Sequence, residues 1–205
     1  MKHYPYSLDD PLSVRPDPMD GLDQPSPGGE ASECLRSMIK ALVRDVPGFP
    51  SPEVLFKDIT PVLADAVAFR LAVEELAAPY KGQVDKVAAI EARGFVFGAP
   101  IAALLGAGFV PMRKAGKLPG PSLSQRYFLE YSDATLEVHL GSLMPGERVL
   151  VVDDVIATGG TARAAIELVS QSGAHVVAVA ALLEIASLKG RECIGAHAMR
   201  SLIVV

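Results

Sequence analysis

Two adjacent carboxylates, Asp153 and Asp154, stand between a run of aliphatic residues and a short loop of small and hydroxyl-bearing residues. The aliphatic run, residues 149–152, is typical of a strand buried on both faces, as in a parallel sheet. In open α/β sheets ligands bind beyond the carboxyl ends of the strands, and backbone N–H groups of a loop that opens a helix bind anions. We therefore expect a phosphate to bind in this loop, beside the two acids. The loop consists of Ala157, Thr158, Gly159, Gly160 and Thr161.

The two acids restrict the kind of ligand, because carboxylates beside a phosphate alone would repel it. A ligand that also carries hydroxyl groups or a magnesium ion accounts for both features, and a sugar phosphate is such a ligand. Acids after an apolar strand also occur in P-loop NTPases, but the chain contains no G-x-x-x-x-G-K-[ST] sequence. It contains no G-x-G-x-x-G sequence either, so a dinucleotide site has no support. A turn with a purely structural role remains the plain alternative.

Basic residues at two other places could bind a second anion. Arg93 follows a predicted strand at residues 84–90 and stands at the start of a helix, where its planar guanidinium suits a pyrophosphate. Arg113, Lys114 and Lys117 lie in a loop rich in glycine and proline. Each group on its own is more often a solvated surface feature. Beside a sugar-phosphate site, these cations could neutralise a departing pyrophosphate.

The composition of the 205 residues, 50% of them hydrophobic, provides for one sizeable core. A net charge of −5 argues against general binding to nucleic acid. Cys34 and Cys193 are far apart in sequence, which fits a reducing compartment better than a disulfide framework. No signal-like segment is found at the N-terminus, and the most apolar stretch, residues 176–186, is too short to span a bilayer. We expect a cytoplasmic protein with neither a nucleic-acid nor a membrane partner.

The first part of the chain differs from the rest in composition. Residues 1–31 are rich in proline and aspartate and carry few large apolar side chains, so burial cannot offset the entropy cost of ordering them. We expect a disordered tail over residues 1–31 and one folded domain over residues 32–205. Ser32 is a suitable N-cap for a helix that ends at Pro47 and Gly48.

Beyond that helix, strand and helix patterns alternate, which indicates an α/β fold with a largely parallel sheet and helices on both faces. Residues 126–139 are richer in β-forming and polar residues and suit a hairpin outside the main sheet. Glycine and proline near residues 115–126 would let that segment move as a flap that excludes water. The predicted strands cover residues 84–90, 109–112, 149–153, 176–183 and 201–205, and the predicted helices cover residues 66–76, 94–105 and 161–171.

Several of these segments together resemble the type I phosphoribosyltransferases, which bind 5-phosphoribosyl-1-pyrophosphate (PRPP), and more narrowly the members that act on adenine. The resemblance covers about residues 35–205, over which the matching segments keep the order and spacing of that family. It implies an α/β fold with a parallel sheet, a small hood and a flexible hairpin flap. The matching segments are residues 54–61, 91–98, 113–121, 129–131, 153–161 and 187–191.

The resemblance implies transfer of a phosphoribosyl group from PRPP to adenine, which yields AMP and pyrophosphate, in the presence of Mg²⁺. Asp153 and Asp154 would accept hydrogen bonds from the ribose 2- and 3-hydroxyls, and the loop after them would wrap the 5-phosphate. Magnesium would be bound through PRPP and water rather than directly by side chains. The loop of Arg93 would contain a cis peptide between Glu91 and Ala92. Pyrophosphate would be bound by Arg93, Arg113, Lys114 and Lys117.

For the base, the resemblance implies that adenine stacks between Phe56 and Val155. The backbone C=O of Leu55 would accept from the 6-amino group, and the backbone N–H of Lys57 would donate to N7. A carbonyl acceptor there would repel the 6-oxo group of guanine or hypoxanthine. The family often has Arg where this chain has Lys57, a difference that should matter little if only the backbone contacts the base. Glu130 would be the catalytic acid or base near N7 or N9.

The resemblance also implies a two-fold homodimer, because the family's arginine at the position of Arg113 reaches into the active site of the neighbouring subunit. Two alternatives remain open. One is a phosphoribosyltransferase for another nucleobase, such as guanine, xanthine or orotate. The other is a PRPP-binding regulator without catalysis, although such proteins usually carry a separate DNA-binding domain and residues 1–31 are a poor candidate for one.

Overall fold

The computed structural model describes residues 29–128 and 133–205. Two short turns of 3₁₀ helix cover Ala78–Tyr80 and Ala186–Leu188. The helices are α1 Gly29–Leu42, α2 Thr60–Ala64, α3 Ala66–Ala77, α4 Gly94–Leu105, α5 Gly160–Gln171 and α6 Gly190–Ile194. The strands are β1 Arg44–Pro47, β2 Leu55–Asp58, β3 Lys86–Ile90, β4 Gly108–Lys114, β5 Ser122–Phe128, β6 Asp133–His139, β7 Arg148–Ile156, β8 His175–Glu184 and β9 Met199–Val204.

The main sheet has the strand order β5-β6-β4-β3-β7-β8-β9. The central and right-hand part of this sheet is parallel. It consists, in order across the sheet, of β4, β3, β7, β8 and β9. Helices connect most of the parallel strands, as expected for crossover connections in an α/β protein. The predicted α/β architecture with a largely parallel sheet is therefore confirmed. Since β3 and β7 are adjacent, the loops that follow them lie at the same edge of the sheet.

The hairpin predicted around residues 126–139 forms, but it is part of the main sheet rather than outside it. Strands β5 and β6 pair antiparallel along their whole length, and β6 then pairs with the end of β4 at two positions, Arg113↔Glu137 and Lys114↔Leu136. Residues 122–126 of the predicted flap belong to β5, so only residues 115–121 form the loop between β4 and β5. The side chains of Leu136 and Val138 are buried, which attaches the hairpin to the core.

The N-terminal region differs most from expectation. Helix α1 begins at Gly29, before the predicted N-cap Ser32, and ends at Leu42 rather than at Pro47. The following residues form β1, which pairs antiparallel with β2 in a separate two-stranded sheet. Ion pairs between neighbouring strands, Arg44 with Asp58 and Lys57 with Asp45, each at 2.7 Å, accompany this pairing. Cross-strand contacts with a distant segment therefore replace the last turns of the predicted helix. Residues 1–28 of the predicted tail lie outside the described part of the chain.

The core consists of two clusters of buried residues, one on each face of the sheet. In β3, Val87 and Ala89 belong to the first cluster, whereas Ala88 and Ile90 belong to the second, as the alternation of a strand requires. Helices α1, α3 and α4 cover the first face, and α5 with the hairpin covers the second. No helix within the described ranges combines the length and apolar character needed to cross a lipid bilayer.

Candidate active site

The two acids of the sequence motif lie inside β7 rather than after its end. The strand continues to Ile156 because it stays paired with β8, through Val155↔Leu183 and Ile156↔Glu184, after its pairing with β3 has stopped at Val152. The carboxyl end of β7 therefore projects beyond β3. Asp153 and Asp154 occupy that projecting segment, where they are only 8% and 5% exposed.

The alternation of β7 side chains breaks at the acids. Leu150 and Val152 pack in the first core cluster and Val149 and Val151 in the second, but Val155, which regular alternation would place with the second cluster, packs against the first. In a regular strand, adjacent acids would point to opposite faces of the sheet. The irregular segment relaxes this constraint at the place where two neighbouring carboxylates would have to bind one ligand.

The Asp153 carboxyl accepts a hydrogen bond from the backbone N–H of Asp154 at 2.8 Å. Burial raises the pKa of Asp153 well above its ordinary value, and the neighbouring charge of Asp154 raises it further, while Arg93 lowers it in part. The Asp154 Oδ2 atom is buried and has no hydrogen-bond partner in the structure. Buried acceptors without a hydrogen bond are rare in folded proteins, and this oxygen could accept one from a ligand hydroxyl if its ion-pair partner Arg93 moved to another anion.

Arg93 connects the acids to the predicted base site. It follows β3, the peptide between Glu91 and Ala92 is cis as predicted, and Arg93 immediately precedes α4. Its Nε forms an ion pair with Oδ2 of Asp154, without the geometry of a hydrogen bond. Its Cζ also lies 5.1 Å from the centre of the Phe56 ring, within the range of a cation–π contact. One cation therefore contacts both the acidic pair and the aromatic side chain.

The loop after β7 has the form expected of an anion site. Gly159 stands at the N-cap of α5 with φ +82°, a conformation that favours glycine, and α5 begins at Gly160. No side chain in the described ranges caps the first turn of α5, so its backbone N–H groups have no partner of that kind. Thr158 and Thr161 are half-buried beside it. The helix start can thus donate several hydrogen bonds to a phosphate.

The basic loop is anchored at the same edge of the sheet. Arg113 donates to the Glu91 carboxylate, with Nη2 to Oε1 at 3.1 Å, and to the backbone C=O of Lys117 at 3.0 Å. The backbone N–H of Lys114 donates to Glu91 at 2.9 Å, while the side chains of Lys114 and Lys117 are exposed. The hydrogen bond from Arg113 lowers the pKa of Glu91. In this structure Arg113 therefore binds within its own subunit.

The predicted base-binding residues lie on two elements. Leu55, Phe56 and Lys57 belong to β2 of the small antiparallel sheet, where Leu55 is 49% exposed and Phe56 and Lys57 are half-buried. The Phe49 ring meets Phe56 edge-on, with 5.2 Å between ring centres. The Lys57 side chain binds Asp45, so it is not directed to a ligand of its own. Val155 is half-buried at the carboxyl end of β7.

Glu130 and Glu91 need separate mention. Glu130 lies outside the described residues, so its predicted role as acid or base stays a prediction. Glu91 was not among the predicted site residues, although it contacts Arg113 and Lys114. Its position next to Arg93, between a strand and a helix, is the signal that could have drawn attention to it. Within the described ranges, no group of three or more His, Cys, Asp or Glu side chains could bind a metal ion on its own.

The chain is similar to known proteins over most of its length. Residues 60–202 match the family described as "Phosphoribosyl transferase domain". An adenine phosphoribosyltransferase of a Nocardioides species is 54% identical over 184 residues, 87% of this chain and 98% of that protein. The crystal structure of adenine phosphoribosyltransferase from Thermoanaerobacter pseudethanolicus is 47% identical, with a TM-score of 0.80 over 83% of this chain and 99% of that one. That from Saccharomyces cerevisiae, solved with adenine and an imino-altritol bisphosphate, is 35% identical, with a TM-score of 0.78 over 83% and 99%.

Proposed function

The chain belongs to the phosphoribosyltransferase family and, within it, to the adenine phosphoribosyltransferases, and from that premise we propose how its residues convert adenine and PRPP into AMP and pyrophosphate. The reaction is a transfer of a phosphoribosyl group, a step of purine salvage. The observation that carries the proposal is the contact between Arg93 and Asp154 beside the uncapped start of α5. It brings a cation, an acidic pair and an anion site to one edge of the sheet.

The phosphoribosyl group is fixed at two points. Residues 157–161 wrap the 5-phosphate with backbone N–H groups, helped by the partial positive charge at the start of α5. Asp153 and Asp154 accept hydrogen bonds from the ribose hydroxyls, and the buried Oδ2 of Asp154, which has an ion pair with Arg93 but no hydrogen bond, supports this assignment. A ribose anchored at both ends presents its C1 atom to the base in a defined position, which lowers the entropy cost of the reaction.

The leaving pyrophosphate is bound by cations. Arg93, Arg113, Lys114 and Lys117 stabilise the charge that develops as the bond to C1 breaks in a dissociative displacement. Arg93 and Arg113 must partly exchange their present acidic partners, Asp154 and Glu91, for the pyrophosphate oxygens. Closure of residues 115–121 and of the hairpin keeps water from the ribosyl cation.

Adenine binds on β2. Its ring stacks on Phe56, with Val155 against the other face, while the Leu55 C=O and Lys57 N–H contact the 6-amino group and N7. The ion pair of Lys57 with Asp45 supports a contact through the backbone rather than through that side chain. Glu130 transfers the proton at N7 or N9 as the new bond forms.

Magnesium is the proposed cofactor, and the residues present fit it. The buried carboxylates of Asp153 and Asp154 could accept hydrogen bonds from waters on the ion, which usually keeps several waters and binds substrate phosphates. When bound, it would neutralise charge on the pyrophosphate and orient it. Since the described side chains form no metal cluster of their own, PRPP and water would supply most of its ligands.

A homodimer is the proposed assembly. Helix α4 contains no charged or polar side chain, yet Val96 is 39% and Leu104 56% exposed, and Phe109 next to it on β4 is 38% exposed. A helix that is apolar on all sides is normally covered. Covering this face with a second copy would place the start of α4, and thus Arg93, near the subunit boundary. The free thiols of Cys34 and Cys193 support a reducing compartment such as the cytoplasm.

The test is conversion of radiolabelled adenine by the purified full-length protein, with and without PRPP and with and without Mg²⁺. We expect AMP only when both are present. Guanine, hypoxanthine and orotate serve as competing bases, and a higher kcat/KM with any of them would contradict the assignment of adenine. Binding of PRPP without adenine-dependent release of pyrophosphate would instead identify a PRPP-binding regulator.

A further inference from the structure

Two glycine backbones are in direct contact behind the predicted phosphate loop. A Cβ atom added to Gly159 would lie 2.3 Å from the carbonyl oxygen of Gly190, and one added to Gly190 would lie 2.3 Å from the carbonyl oxygen of Ala157. Both distances are far below any normal contact with a carbon atom. Gly190 is the first residue of α6, so the loop that follows β7 and the start of α6 approach each other as bare backbone.

Helix α6 is too short to hold this position by itself. It is anchored by Arg191, which donates Nε and Nη2 to the two oxygens of Glu184 at 3.1 and 2.6 Å and Nη1 to the backbone C=O of Met199 at 2.8 Å. Glu184 is 6% exposed at the end of β8 and also accepts a hydrogen bond from Ser201 at 2.7 Å. The parallel strands β8 and β9 thereby fix the orientation of α6.

We infer that Arg191 is a positioning residue for PRPP binding: its two-point contact with Glu184 sets α6, and the Gly190 backbone sets the conformation of residues 157–161. This inference rests on the proposed phosphate-binding role of that loop. Arg191 acts through Gly190 and not by its charge, because each of its three nitrogen atoms already donates to Glu184 or Met199. A displaced Gly190 would let the loop relax and misalign the N–H groups that bind the phosphate.

The first experiment compares Arg191→Gln with the control Lys189→Gln. The control removes the same positive charge two positions earlier in the chain, where the side chain is 71% exposed. Isothermal titration calorimetry with ribose 5-phosphate gives the Kd, and steady-state kinetics give the KM for PRPP and for adenine. We expect Arg191→Gln to raise the Kd for ribose 5-phosphate and the KM for PRPP about tenfold or more, as misplacement by a fraction of an ångström can do. The KM for adenine and all values of Lys189→Gln should change less than about twofold. Arg191→Lys should restore only part of the loss, because an ammonium lacks the planar fork.

The second comparison, Gly190→Ala against Gly195→Ala, tests the backbone contact itself. Gly195 ends the same helix with φ +75°, and a Cβ there would meet no atom within 4 Å, so its substitution strains α6 without touching the loop. We expect both variants to have a lower Tm, but only Gly190→Ala to weaken binding of ribose 5-phosphate. Hydrogen–deuterium exchange of ligand-free protein should show faster exchange at residues 157–161 in Gly190→Ala and Arg191→Gln.

These readouts separate the inference from the proposed catalytic function. Calorimetry and hydrogen exchange report on the loop even if the protein converts no adenine, so failure of the assay would leave the inference standing. If Gly190→Ala does not fold, Arg191→Gln decides by itself. Unchanged exchange at residues 157–161 together with an unchanged Kd in a folded variant would overturn the inference, as would an equal loss in Lys189→Gln.

Discussion

The Arg113 guanidinium and the Glu91 carboxylate form a two-point contact, with Nε to Oε2 at 3.3 Å and Nη2 to Oε1 at 3.1 Å. The contact joins the end of β4 to the loop after β3, so the base of the basic loop is tied to the loop that carries Arg93. Glu91 also accepts from the backbone N–H of Lys114, so one carboxylate neutralises Arg113 and holds the end of β4 in place.

The substitution Glu91→Gln should therefore strengthen the binding of pyrophosphate. It removes the negative charge that competes for Arg113, while the amide oxygen can still accept from Lys114. A half-buried charge contact contributes about 1 kcal/mol, so inhibition by pyrophosphate should tighten roughly threefold to tenfold. Product-inhibition kinetics measure this. Weaker inhibition would mean that Glu91 is needed to hold Arg113 in its binding position.

Asp154→Asn should lower turnover with PRPP while the fold stays intact. The change removes the charged acceptor proposed for a ribose hydroxyl, together with the ion-pair partner of Arg93. Loss of one charged partner at a reacting centre usually costs on the order of 10²-fold in kcat. Steady-state kinetics and a circular dichroism spectrum check the prediction. Wild-type kinetics in the variant would remove the ribose assignment.

Asp153→Asn should stabilise the ligand-free protein at neutral pH. Burial raises the pKa of Asp153 in the folded chain, so the native state binds its proton more tightly than the unfolded state does. Stability of the wild type therefore decreases as pH rises from about 4, the ordinary aspartate range, through the raised pKa. The variant should lack this decrease and gain about 2–4 °C in Tm at pH 7, while its KM for PRPP rises.

Thermal melts from pH 4 to pH 8 measure that difference. Glu192→Gln, at an exposed carboxylate, is the matched control and should follow the wild-type curve. If the Tm of Asp153→Asn changed with pH in the same way as that of the wild type, the Asp153 carboxylate would not destabilise the native state.

Phe56→Leu should raise the KM for adenine about tenfold, because stacking of an aromatic ring on a base contributes about 1–3 kcal/mol. Phe69→Leu is the control, since Phe69 packs against Phe97 in the core, with 5.8 Å between ring centres. It should lower the Tm and leave the KM for adenine unchanged. Equal changes in KM for both variants would indicate a general loss of stability and not a base contact.

Val96→Glu should dissociate the proposed dimer, because it buries a charge without a partner in an apolar interface. Val67→Glu makes the same change at a valine that is 53% exposed and belongs to a different helix, α3. Sedimentation equilibrium should give a monomer for the first variant and the wild-type mass for the second. A wild-type mass for Val96→Glu would exclude this face of α4 as the interface.

The sequence contained enough information for the parallel sheet, because its strands are continuous aliphatic runs with helices between them. Helix α4 begins and ends where its pattern predicts, and β7, β8 and β9 differ from prediction by only a few residues. The cis peptide between Glu91 and Ala92, which the family resemblance implied, is also confirmed. Such features depend on neighbours in the sequence.

The features that were not predicted depend on contacts between distant residues. Strand β1 carries a charged and proline-containing sequence, and it becomes a strand only by pairing with β2. The break in alternation between Val152 and Val155 is seen only in how the side chains pack on the two faces of the sheet, which the sequence does not reveal. The contact of Glu184 with Arg191 could not be predicted, because the two residues lie on different elements and nothing local indicates that they meet.

In the described part of the hairpin, β6 pairs with β4 at two positions, while the other strand pairs join β5 and β6 to each other. It is therefore an exchangeable module. A chimera that takes residues 115–139 from a relative should keep the parent sheet intact, provided that the inward-facing Tyr127, Leu136 and Val138 remain apolar and of similar volume. The exchange would change the proposed pyrophosphate ligand Lys117 and the proposed acid or base Glu130 together, while the strand that carries Asp153 and Asp154 stays the same.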